Sequence, residues 1–510
     1  GLIASNAGTV SDVDVTGDVT GFAQDFGEGT AGGDVGGLAA INTGTITDSS
    51  FTGTVDGIGS GLRIFAGGLV GSNSGAISGS SSGGSVSASA DTVGLVGGFA
   101  GINIGTISDS SSSASNTLSV TTVTDEVGSQ IGGFAAANAG TISGSEATGD
   151  VSAFVGDFDP EEFETTGSLI SITPGDTELN AGGFVGYNLT GEGLPGTITT
   201  SRSENSVYVQ GGYGDTFVGD VAVGGFAGRN EGSISDARAD SDVGVLLTED
   251  LASDVADLAL TVRGLGGGFA GVNAGSLSET GATGTVAVEE YHAVQQLFAG
   301  GHTGGNEAGL ISDSYAQGPV SITFNNSAGT GIIGGFVGRT FGGSLSRVYA
   351  SGLVTPPPVG TILSGGLIGE NFSFDPDIVA TPITAAYWDT ETTGQGTSDG
   401  GTGLATAAFR DTAGFFALAG AAGWDFDTVW APGDTGFHPA IYSIDQVVFA
   451  RPDPVTLQYG ETPTASTTGS VAGGPSVYVF PPSGDTLDSA PLFADLVFPW
   501  FVFMMGCSSA

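Results

Sequence analysis

The sequence predicts an all-β fold: a right-handed parallel β-helix, or solenoid, of about eleven repeats, with a closing segment and a small C-terminal β module. Three observations predict it. Glycine supplies 93 of 510 residues, well above the usual share of about 7 %. A Gly-Gly pair followed by an apolar residue recurs along the first three-quarters of the chain. Between these pairs, short segments of β character such as Phe99-Ala100 and Thr106-Ile107-Ser108 alternate with glycine and asparagine. Strands that short are unstable alone. Stacked on their equivalents in the next copy, they pair continuously and bury a column of Phe, Ile and Val.

The copies have first glycines at Gly36, Gly67, Gly97, Gly132, Gly182, Gly224, Gly267, Gly300, Gly334 and Gly365, at spacings of 31, 30, 35, 50, 42, 43, 33, 34 and 31. Residues 1–10 match the pattern with one glycine fewer, which makes eleven copies. The Gly300 copy carries His302 at the apolar position. Asparagine stands six residues after the first glycine in Asn42, Asn73, Asn103, Asn138, Asn188, Asn230, Asn273, Asn306 and Asn371; Asn6 is equivalent, and Thr340 breaks the column. Gly-Thr-Ile-Ser or a variant follows. Asparagine and glycine tolerate the left-handed backbone expected where the chain turns a corner. Stacked asparagines also make a ladder of amide bonds. One turn per copy at about 4.8 Å between strands gives a rod roughly 50 Å long. A propeller would want four strands per copy and longer apolar runs.

Three copies are long, and their extra residues are expected as excursions on one side of the rod. One spans Asp157 to Glu178. Another, Val243 to Arg263, has Leu247, Leu251, Val255 and Leu258 at helical spacing after Thr248-Glu249-Asp250, read as a helix or strand packed on the rod. The organisation is therefore a repeat solenoid over 1–375, a closing segment over 376–448, the start of a Gly-rich β module over 449–490 and an apolar tail over 491–510. Leu492 to Met505 is apolar apart from Asp495 and broken by Pro499, too short for a bilayer span. The ending Gly506-Cys507-Ser508 resembles a lipoprotein cleavage box at the wrong terminus and is read as an incidental or truncated tail. A chain that begins at Gly1 within a copy is read as a piece of something longer, or as processed.

Acids outnumber bases 54 to 9, a net charge of −45, and all nine bases are arginine. That charge repels phosphate backbones and anionic lipid, which argues against nucleic-acid binding. Without lysine there is no phosphate-binding loop of the Gly-Lys-Ser/Thr kind and no Schiff base. Cys507 alone makes no internal disulfide or cysteine zinc site, and His292, His302 and His438 form no close pair. An acidic, lysine-free surface fits a salty medium, where the Debye length falls to about 3 Å at 1 M; a GC-rich genome that replaced lysine codons accounts for it equally well.

The repeat Gly-Gly-Phe-Val-Gly-x-Asn-x-x-Gly-x-Ile-Ser-x-Ser resembles the GLUG repeat of bacterial surface proteins, known in filamentous-haemagglutinin-like adhesins of two-partner secretion and near the start of some immunoglobulin A peptidases. The resemblance covers about residues 1–375. Ala386-Tyr387-Trp388-Asp389, Gly400-Gly401-Thr402-Gly403-Leu404 and Trp424-Asp425-Phe426 look like the segment that closes such arrays. Val455-Thr456-Leu457-Gln458-Tyr459-Gly460 is similar to the first strand of the Gly-rich β modules that follow them. The resemblance implies an extracellular or cell-surface location, a role in adhesion, cell-surface glycans or proteins as partners, and an outer-membrane secretion partner. It supplies no catalytic residues, and the peptidase zinc motif is absent.

The remaining motifs weigh little. Gly191 to Gly196 and Gly329 to Gly334 fit G-x-G-x-x-G, but at this glycine content about three such matches arise by chance. Gly79-Ser80-Ser81-Ser82-Gly83 fits a nucleophile-elbow pattern inside a Ser/Gly tract. Carboxylates are the one chemical resource left. Asp48, Asp109, Asp236 and Asp313 occupy one place in the repeat and are the weak candidates for calcium, since hard cations want several oxygens; a solvated row at a turn is the plainer reading. Trp388, Trp424 and Trp430 are expected to cap the open solenoid end. No catalytic residue and no cofactor other than calcium is expected. The function expected is a non-catalytic, stiff acidic display rod of an adhesin binding multivalently. The alternatives are a carboxylate-based polysaccharide hydrolase or lyase on the same β-helix, or a purely structural stalk.

Overall fold

The computed structural model describes residues 1–24, 33–60, 63–90, 94–120, 128–155, 179–191, 194–211, 220–247, 263–290, 296–324, 329–373, 381–434, 436–445 and 447–452, and the short strands 467–468, 476–479, 492–497 and 500–505. It divides into two compact units, Gly1–Gly403 and Leu404–Ala510.

The first unit is a parallel β-solenoid. In the copy around Gly97, Gly94–Gly97 forms one strand, Ala100–Asn103 a second, and Thr106–Ser108 with Ser111–Val120 a kinked third. Each strand pairs in parallel with the same strand of the next copy, so three sheets run along the unit. The glycine sheet has ten strands, the asparagine sheet eleven, and the long sheet is built from the kinked segments. Eleven strands in the asparagine sheet match the eleven copies. Register is strict: Gly97 pairs with Gly132, Asn103 with Asn138 and Ile107 with Ile142.

The left-handed corner lies elsewhere than expected. Among the described residues no asparagine has positive φ, and neither does the Gly97-Gly98 pair. That pair is glycine for want of room. A Cβ on Gly97 would run into the Ala100 carbonyl oxygen, and one on Gly98 into that of Gly133. The chain reverses so tightly there that the glycine and asparagine sheets touch backbone to backbone. The left-handed residue is the one that kinks the long sheet: Asp12, Asp48, Asp109, Asp236 and Asp313, with Gly79, Gly144, Thr200, Glu279, Arg347 and Ala385 at the same corner of the other coils. Asp suits it because its short polar side chain lowers the cost of that conformation.

The residue after each Gly-Gly pair points into the core. Phe99, Phe134, Phe184, Phe226, Phe269, His302 and Phe336 form one stack with ring centroids 4.6–5.1 Å apart, extended by Leu38 and Leu69 before it and Leu367 after it. The centroid spacing equals the strand spacing, so stacking and hydrogen bonding reinforce one another.

The extra residues of the copies starting at Gly132 and Gly224 enter where the long sheet gives way to the glycine sheet, between Val155 and Leu179 and between Leu247 and Arg263. The Gly182 copy also adds a hairpin after its asparagine, Thr190–Gly191 against Leu194–Pro195. Leu247 ends the strand Asp242–Leu247; Leu251, Val255 and Leu258 lie outside the described residues, as does the Asp157 to Glu178 segment.

After the last coil, Tyr387–Asp389 pairs with Tyr349 and Ala350, and Trp388, 6 % exposed, packs over Gly366. Its Nε1 donates to the Gln395 carbonyl at 3.0 Å. Ser398 Oγ accepts from the amides of Leu367 and Ile368, which would otherwise end the sheet unpaired. Trp388 thus closes the solenoid. Trp424 and Trp430 instead pack against each other inside the second unit, ring centroids 4.3 Å apart and planes tilted 36°, beside Phe415 and Phe426. That unit holds the helix Thr412–Ala421, capped by the Asp411 carboxylate, a short pair of Trp430–Ala431 with Ala440–Ile441, and an antiparallel pair of Leu492–Val497 with Trp500–Met505. Among the described residues no helix is long and apolar enough to cross a membrane.

Candidate functional site

The acidic residues singled out by the sequence form a column. Asp48, Asp109, Asp236 and Asp313 all stand at the left-handed corner, interleaved with Gly79, Gly144, Thr200 and Glu279. Asp313 is taken by Arg347, whose Nε and Nη2 donate to its two oxygens at 2.7 and 2.6 Å. Among the described residues no three His, Cys, Asp or Glu side chains gather as a metal-binding set. The residue after the corner supplies a second buried ladder. The amide of Ser49 donates to Ser80 Oγ, Ser80 to Ser110, and Ser110 to Ser145, at 3.2–3.3 Å.

The asparagine column forms the expected ladder. From Asn6 through Asn42, Asn73, Asn103, Asn138, Asn188, Asn230, Asn273 and Asn306, each Nδ2 donates to the next Oδ1 at 2.7–2.9 Å. Thr340 continues it by accepting from Asn306 at 3.2 Å and bonding Thr381 at 3.0 Å. His302, fully buried in the phenylalanine stack, has Nε2 3.0 Å from Thr280 Oγ1 and Nδ1 3.0 Å from Thr303 Oγ1. Burial pushes its pKa down to about 3, so the ring is neutral and structural. His292 lies outside the described residues.

The feature with the geometry of a ligand site was missed by sequence reasoning. A pocket of about 360 Å³ opens on the outer surface where the glycine and asparagine sheets meet. Its floor is Leu265 and Phe298, neighbours on the glycine sheet. Gly305 opens it: in the asparagine sheet this position is Val272 one coil before and Arg339 one coil after. A Cβ there would press on the Leu265 side chain.

Arg263, Glu307 and Arg339 are the charged lining residues, and each belongs to an ion-pair cluster that extends beyond the pocket. Arg263 Nε donates to Asp220 Oδ1 at 2.7 Å, its Nη2 also reaches Asp220, and its Nη1 stands 3.5 Å from Glu307. Arg229 bonds Glu231 at 3.2 Å and approaches the other Glu307 oxygen at 3.7 Å, so Glu307 is shared loosely between two guanidiniums. Burial raises the Glu231 pKa, but hydrogen bonds from Tyr187 and Arg229 outweigh it and hold the carboxyl below its usual value. Arg339 lies with its guanidinium carbon 4.0 Å from the Phe372 ring centre and 5.4 Å from that of Phe298. Its Nε is 3.0 Å from Glu370 but out of line for a hydrogen bond. Desolvation lowers the Arg339 pKa.

A signal for this cluster does exist. The residue before each column asparagine shares one outward column, so Arg229 and Glu370 can be aligned by counting from Asn230 and Asn371, and Arg339 from Thr340. Compared with known families, curated proteins and solved structures, the chain matches none.

Proposed function

We propose that this chain is a non-catalytic display rod of a secreted or cell-surface adhesin, of the GLUG-repeat, filamentous-haemagglutinin-like kind, that holds binding elements on a stiff acidic solenoid. One observation carries it. Copies of unequal length keep an uninterrupted three-sheet core, because their insertions enter at corners: between the long and glycine sheets in the copies starting at Gly132 and Gly224, and also after the asparagine strand in the Gly182 copy. A scaffold that keeps its register while its corners vary is suited to presenting variable loops. Repetition along the rod adds many weak contacts with a high effective concentration.

The test is retention of the purified chain, in high salt with and without calcium, on a panel of cells and immobilised polysaccharides, with the polysaccharides assayed for cleavage. Retention without cleavage is the expected result, and loss of retention with a chelator would assign calcium to the acidic column. Cleavage that disappears when one carboxylate pair is substituted would replace the rod with a hydrolase or lyase. Retention on no surface would leave a bare stalk.

A further inference from the structure

We propose that the pocket beside Gly305 binds a neutral saccharide, one or two pyranose rings of a longer polysaccharide. The inference rests on the reading of the chain as a binding rod and names the chemistry of one contact. Space comes first. At about 360 Å³ the pocket lies within the range of small-molecule sites, roughly 300–1,000 Å³. It exists because Gly305 lacks the side chain that its column carries as Val272 and Arg339 on either side.

The lining matches a sugar on three counts. Phe341, 36 % exposed, stands with its ring 6.2 Å from that of Phe372 and tilted 47° to it, an apolar wall for the C–H face of a pyranose. Each sugar hydroxyl both donates and accepts, and the lining offers the guanidiniums of Arg263 and Arg339 beside the carboxylate of Glu307, with Glu370 paired to Arg339 behind it. Arg339 is held between two phenyl rings, so its donors are ordered before a ligand arrives.

Charge selects a neutral ligand over an anionic one. The lining arginines Arg263 and Arg339 and the nearby Arg229 are paired with Asp220, Glu231, Glu307 and Glu370, so the lining together with its ion-pair partners carries no surplus positive charge. The whole chain at −45 repels acidic polymers at long range. A cation is disfavoured as well, because each of these carboxylates already lies within ion-pair distance of a guanidinium.

The experiment is calorimetric titration of the full chain, in high salt, with hexasaccharides of glucose, mannose, galactose and xylose, and with a galacturonate hexamer for comparison. We expect a neutral hexamer to bind. Gly305→Val, which installs the residue that Val272 already places in this column, and Phe341→Ala are each expected to weaken binding by about tenfold or more. Phe341→Ala is expected to leave the melting curve unchanged, while Gly305→Val keeps a cooperative melt at a lower midpoint because its Cβ presses on Leu265. The proposal is overturned if no neutral hexamer binds, if affinity is indifferent to both variants, or if the galacturonate hexamer binds more tightly. The two readings fail separately. Retention on cells with no effect of either variant on sugar affinity removes the pocket and leaves the rod. Pocket-dependent sugar binding by a chain retained on no surface removes the adhesive rod and leaves the pocket.

Discussion

Asn103 shows how much one position carries. Its Nδ2 serves both Asn138 Oδ1 and the Gly105 carbonyl, at 2.8 and 3.4 Å, while its Oδ1 accepts from Asn73. Asn103→Ala leaves buried donors and acceptors above and below without partners, and is expected to cost about 2–4 kcal/mol. Chemical-denaturant melts check this; a loss under about 1 kcal/mol would mean that the ladder adds little beyond backbone pairing. His302 is a different case. Its neutral ring substitutes for phenylalanine in the stack, with a folded pKa of about 3 against about 6.5 when unfolded. The stability it contributes is complete above pH 6.5 and is lost as pH falls from there toward 3, a span worth on the order of 4–5 kcal/mol. His302→Phe restores the column and is expected to flatten that part of the pH–stability profile. A variant whose acid limb is as steep as the parent's would sink the argument.

At the scale of the element, the left-handed corner accounts for the residues that interrupt the Thr-Ile-Ser strands. Gly79 and Gly144 occupy it alongside Asp48 and Asp109, so Asp109→Gly is expected to keep stability within about 0.5 kcal/mol. Asp109→Val puts a β-branched side chain at φ 49° and is expected to cost about 1–3 kcal/mol. Equal melts for the two variants would show that the corner relaxes to another backbone. The strands themselves were legible: Phe-Ala, Thr-Ile-Ser and the column asparagine recur at fixed offsets, and strand pairing follows those offsets one for one. The function of the Gly-Gly pair was not legible. Positive φ and lack of room both demand glycine, and only the positions of neighbouring carbonyls tell them apart.

For the whole molecule, charge is the dominant long-range term. With 54 acids and 9 arginines, like charges on successive coils lie one strand spacing apart, as where Arg202 and Arg238 share Asp240. Most acids have no such counter-charge available, so raising sodium chloride from 0.1 to 2 M, which shortens the Debye length from about 10 Å to below 3 Å, is expected to raise the melting temperature by several degrees. A flat or falling melting temperature across that range would mean that the acid surface is not self-repelling. Because each coil touches only its neighbours, hydrogen exchange is the better reporter of where the array opens first.

By itself the sequence determined the parallel solenoid, its eleven copies, the asparagine ladder and the phenylalanine column, because each is a repeat converted into a stack by one uniform rise per coil. The pocket was decided by tertiary structure alone. Arg263, Phe298, Gly305, Arg339 and Phe372 come from four successive coils and two sheets. Their meeting depends on how unequal copies keep register and on which side chains point outward at a corner. Periodicity shows which residues are equivalent; it does not show where a missing side chain leaves a space.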